Sequence, residues 1–263
     1  MSVEIDEGIA RRVLEVVDAG LVRGVGEPIP GQMCAAAAVC YALGLPHGDE
    51  PSCVSPAVRP LMIRLNDARW SSPSARARGL RRLAIAALGS AGTLDEGEFS
   101  RRAARLAIQT FVSTALRAEA LRHAGVQRER LLQVADLCER EPTREHAWEA
   151  ATYARAAAYY AAYYAAAAEA AAYADAAAAA ADRVGSAATY AVDAVYATAE
   201  AVHGNDAKAR AAYDATLGDF AERVVCILHD MGSPGAAYLY LTGCLCYLGA
   251  PGSAFLHVTE SAT

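Results

Sequence analysis

One stretch limits what this chain can fold into. Residues Ala147 to Ala181 read AWEAATYARAAAYYAAYYAAAAEAAAYADAAAAAA, with 23 alanines, six tyrosines and four charged residues (Glu149, Arg155, Glu169, Asp175) in 35 positions. Alanine has the highest helix propensity, and neither Gly nor Pro interrupts the run. The pattern predicts one continuous helix about 50 Å long, at roughly 1.5 Å of rise per residue.

On a helical wheel Tyr153, Tyr160 and Tyr164 share one edge. Tyr159, Tyr163 and Tyr173 continue round from it, so tyrosines cover about half the circumference. The other half is nearly all alanine, with Glu169 the main exception. An element apolar all round is expected to be buried. The alanine half admits close approach of another backbone, as small residues do at tight helix interfaces. The tyrosine half offers buried area together with hydroxyls that need partners, so these six tyrosines are the predicted interface.

Two rival readings of the tract fail on counts. Its longest uncharged run is 13 residues, positions 156–168, short of the roughly 20 that a membrane span requires. It also has few of the polar, Pro and Gly residues that mark disordered chains.

The chain of 263 residues is 54% hydrophobic, enough for a sizeable core. It divides by texture into a Gly/Pro-interrupted helical region, 1–92, and an Ala/Tyr-rich bundle, 93–263, with one continuous domain as the alternative. The opening MSVEIDEGIARRVLEVV is amphipathic and charged rather than basic and then apolar, so a cytoplasmic address is expected. Seven irregularly spaced cysteines fit reduced thiols better than a disulfide framework. Charge is unevenly placed within the net −6: residues 1–50 carry −5, residues 51–130 carry +8 and residues 131–263 carry −9. Complementarity within the chain or between subunits is the simplest account of such blocks.

Apolar spacing at three and four predicts a first helix over residues 3–18. GLVRGVGEPIPGQ then breaks regular structure and is the expected hinge. Helices follow over about 32–43 and, from the Ser55–Pro56 start signal, to about 66. Ser72–Pro73 starts another, to about 88. A long helix over about 95–123 closes at Gly125, and one over 127–140 precedes Pro142. After the central tract come helices over 187–203 and 205–231, the latter broken by GSPG. The tail AAYLYLTGCLCYLG reads as helix, and SAFLHVTES as a short strand or frayed end. With no convincing period-2 alternation, the expected fold is all-α: about eight to ten helices around the 147–181 element.

Four constellations are candidates for chemistry. Cys34 falls two or three residues into a short helix after a Gly/Pro-rich entry, where the helix dipole lowers a thiol pKa. Papain-like hydrolases place their nucleophile this way, and His47, His229 or His257 could supply a base. Those folds bring the base from a β-sheet, however, and no sheet is expected. A small buried thiol beside four alanines is the plainer reading.

Cys34, Cys40, His47 and Cys53, with Asp49 or Glu50, have ligand types that suit zinc. Their spacings match no ribbon or finger, and C-x-x-C is absent. Arg59, Arg64, Arg69, Arg76, Arg78, Arg81 and Arg82, with Trp70 for stacking, make a nucleic-acid surface conceivable on two capped helices. The turn between those helices lacks a specific signature, and the chain is acidic overall. The tyrosine array could line a ligand groove, although i, i+4 tyrosines more often pack in cores and interfaces. No Gly-rich phosphate loop and no paired carboxylates are present, so no cofactor is expected.

The block GQMCAAAAVCYALGLPHGDEPSCVSPAVRPLMIRLNDARWSSPSARARGLRRLAIAALGS resembles a segment of Ala/Tyr-rich helical proteins of bacteria and their phages for which no activity is known. The likeness spans roughly residues 20–92 and the texture of 145–200. The alanine tract is also similar, in composition, to immunity-type proteins with Ala-rich helices. Neither resemblance implies functional residues. The resulting expectation is a non-enzymatic helical interaction or assembly protein, a homo-oligomer or the partner of another protein, with no membrane span. A Cys34-based hydrolase or ligand site near 32–56 and nucleic-acid binding through Arg59 to Arg82 are the alternatives.

Overall fold

The capping and periodicity signals are realised as helices. The structure, a computed structural model, describes residues 4–121, 123–158, 172 and 210–243, and the fold is all-α. Helix α1 (Glu7–Asp18) starts at Asp6, whose carboxylate accepts the Ile9 N–H at 2.7 Å. It buries Ile9, Val13, Val16 and Val17 on one stripe. Helix α2 (Ala35–Ala42) is almost wholly buried, and α3 (Val58–Asn66) begins two residues later than its Ser-Pro signal implied. Ser55 instead shapes the entry turn: its carbonyl accepts from Val58 and Arg59, and its hydroxyl donates to Glu96.

Helix α4 (Pro73–Ala86) has the predicted Ser72 cap and buries Leu80, Leu83, Ala84 and Ile85. It touches α1, α2, α3, a later helix α9 (Arg210–Asp230) and a closing 3₁₀ helix (Pro234–Thr242). Among the described residues α4 is therefore the hub. The reason is its composition: alanine and leucine let five neighbours approach one short helix.

The long helix expected over 95–123 is a rod in three parts: α5 (Glu96–Leu106), a π-helical stretch (Ala107–Val112) and α6 (Ser113–Ala120). The wider π turn shifts backbone carbonyls off their usual donors. Two hydroxyls compensate, Ser113 donating to Gln109 O at 2.7 Å and Thr114 to Thr110 O at 2.6 Å. Gly125 opens α7 (Gly125–Arg140) rather than closing the preceding helix, with Ala124 in extended conformation before it. Helix α8 (Arg144–Ala158) returns alongside α7 after the break at Pro142. Phe111 of the π turn meets Phe220 of α9 edge-to-face, centroids 5.5 Å apart, joining this second group of helices to the first.

One further expectation changes. The 20–33 segment is a hydrogen-bonded loop, not a hinge. Val22 N–H bonds Met33 O at 3.0 Å, Glu27 N–H bonds Gln32 O at 2.8 Å and Cys34 N–H bonds Val25 O at 3.2 Å. Gly26, at φ +73°, has no room for a side chain, since a Cβ would lie 1.9 Å from Gln32 O. Gly26 and Met33 form an isolated antiparallel bridge, and no sheet exists among the described residues.

The start of the apolar tail is helical, as expected, and takes the 3₁₀ form. It is laid across α1 and α4, with Gly235 N–H on Leu88 O at 2.8 Å and Tyr238 OH on Ile5 O at 3.0 Å. Helix α8 begins three residues before the predicted start of the central helix. Most of the Ala/Tyr tract beyond Ala158, the expected 187–203 helix and the residues after 243 lie outside the described residues.

Candidate functional site

The alanines of α2 carry Cys34 inward. Cys34 is the N-cap of α2, not a residue within it, and its sulfur accepts the Ala37 N–H at 3.3 Å. Burial pushes its thiol above the ordinary value, with the backbone N–H groups opposing that in part. Loss of water outweighs the helix end, which is the reverse of what a nucleophile needs. Burial also raises Cys53, and drives Cys40 up to about 11 with the neighbouring thiols adding to it.

His47 is exposed, its Nε2 2.9 Å from the Gly26 carbonyl, and it makes no hydrogen bond to Cys34. His229 is exposed at the end of α9 with Asp230 at 3.6 Å, and His257 lies outside the described residues. Among the described residues no three His, Cys, Asp or Glu side chains converge on a metal position. The zinc candidate Cys34, Cys40, His47 and Cys53 therefore does not assemble: the thiols face the core and the imidazole faces out.

Three of the seven candidate arginines are engaged inside the fold. Arg76 is buried and donates to three backbone carbonyls, Asn66 O at 2.7 Å, Leu21 O at 2.9 Å and Ala68 O at 3.3 Å. Arg81 grips Asp18 through Nε and Nη2 at 2.9 and 2.8 Å and donates to Thr242 O at 2.9 Å. Arg82 reaches Glu222 Oε2 at 2.8 Å and Thr242 Oγ1 at 2.8 Å. Burial holds Glu222 above the ordinary carboxylate value, and Arg82 opposes that shift.

Arg59 is half-buried, while Arg64, Arg69 and Arg78 are exposed. Trp70 is buried, its Nε1 on Leu65 O at 2.9 Å, so it is not a stacking platform. The charge blocks are met from both sides within the chain: Arg81 by Asp18, Arg82 by Glu222, and Arg117 by Asp136 at 2.7 Å.

Two features escaped the sequence. Asn66, next to Asp67, is a polar knot: its Oδ1 accepts the Ala35 N–H at 3.1 Å and its Nδ2 donates to Val22 O at 2.9 Å. The knot seats the start of α2 against the 20–33 loop. Glu119 and His123 form a pair at 2.9 Å with side chains only 1% and 8% exposed. Their i, i+4 spacing was visible, but the burial of that helix face was not.

Three large apolar side chains face outward in the α6–α8 region: Leu121 is 76% exposed, Val126 81% and Trp148 61%. On α8, Ala147 and Ala150 are fully buried while Trp148 stands in solvent, so the first turns of the Ala/Tyr tract have one packed side and one bare side. Tyr153 lies on α8, and Tyr159, Tyr160, Tyr163, Tyr164 and Tyr173 lie outside the described residues. No helix among the described residues is long and apolar enough to cross a membrane. The chain matches no protein-family model, no curated protein and no solved structure.

Proposed function

We propose that this chain is a non-enzymatic interaction or assembly protein that associates with a second copy of itself through the Ala/Tyr-rich helical region beginning at α8. One observation carries the reading: Trp148 is 61% exposed on a helix whose opposite side, Ala147 and Ala150, is fully packed. Covering the exposed indole, on the order of 120 Å², yields roughly 3 kcal/mol at about 25 cal/mol per Å². Tryptophan is the residue type most often found at the energetic centre of protein interfaces.

The candidates for chemistry support the same reading by their engagement elsewhere. Cys34, Cys40 and Cys53 are buried, which raises their thiols above the ordinary value, and Arg76, Arg81 and Arg82 bind the fold's own carbonyls and carboxylates. The experiment is light scattering of the full chain across a wide concentration range, beside Trp148→Ala. The wild type should associate, and the variant should do so at least about 10-fold more weakly. A wild type that stays monomeric at high concentration overturns self-association. Unchanged association in the variant overturns its placement on α8.

A further inference from the structure

We draw no further inference here: the strongest candidate, the buried Glu119–His123 pair at the C-terminal end of α6, has both side chains enclosed by the bundle and bonded to each other, and nothing among the described residues points to a ligand or a second state for it to act on.

Discussion

Gly79 sits inside α4, where helix propensity alone says that alanine should be better. Replacing an interior helical glycine by alanine gains about 0.5–1 kcal/mol. Here the gain meets the Trp70 ring. A Cβ on Gly79 would lie 2.2 Å from the indole Cη2 and 2.5 Å from Cζ3, so the ring must move. The ring is not a flexible chain end, because Trp70 is buried and its Nε1 is tied to Leu65 O at 2.9 Å.

Overpacking of a core costs about 1–3 kcal/mol, and losing the indole hydrogen bond adds about 0.5–1.5 kcal/mol. The clash wins, and Gly79→Ala should destabilise by about 1–3 kcal/mol net, lowering Tm by roughly 2–10 °C for a chain of this size. Urea unfolding followed by far-UV circular dichroism measures the free energy. The cause is tested by a cycle with Trp70→Leu, which removes the ring: in that background Gly79→Ala should be neutral or stabilising. A single Gly79→Ala variant as stable as the parent would refute the packing argument. A cost that persists without the ring would refute the assignment to Trp70.

Other expectations follow from the same contacts. Arg76→Met removes three charge-assisted bonds and strands the Leu21, Asn66 and Ala68 carbonyls, so it should cost about 3–5 kcal/mol by denaturant titration. Arg78→Gln, on the exposed side of α4, should stay within about 0.5 kcal/mol of the parent, and equal costs for the two would dismiss the internal role of Arg76. Ser100 is fully buried with a hydroxyl that makes no hydrogen bond. Ser100→Ala should therefore leave stability unchanged or raise it by up to about 1 kcal/mol, and a clear loss in thermal melting would contradict that. Burial raises the folded thiol pKa of Cys34 and Cys53, and that of Cys40 to about 11. The stabilisation linked to these thiols is present below the unfolded thiol pKa and is lost as pH rises through the folded value. Stability should fall from about pH 8.5 toward pH 11. Alkylation of the native protein should be slow at pH 7, and a Cys34 as reactive there as a free thiol would restore the nucleophile reading.

Much of the scaffold is readable in the sequence. Ser72 and Pro73 start α4, Pro142 parts α7 from α8, and Gly232 with Ser233 and Pro234 ends α9. Each of these signals acts through the residue's own backbone or its nearest neighbours, so local chemistry suffices. Side-chain roles were less readable. Arg76, Arg78, Arg81 and Arg82 look alike in sequence, yet one is buried on carbonyls, one is exposed and two grip acids far along the chain. The 20–33 loop shows the same limit: its glycines announced a break, and only the structure shows it hydrogen-bonded through Met33 and Gln32.

By itself the sequence determined the all-helical class, the Ser72–Pro73 start of α4, the breaks at Pro142 and Gly232 and the apolar stripe of α1, because propensity, capping and periodicity act over a few residues. Only the tertiary structure decided that α4 is the hub among the described residues, that the basic middle block is answered by acids from both flanks and that Cys34 is dehydrated rather than activated. Those outcomes depend on which groups lose water and which distant groups replace it, and burial of that kind is a property of the packed chain.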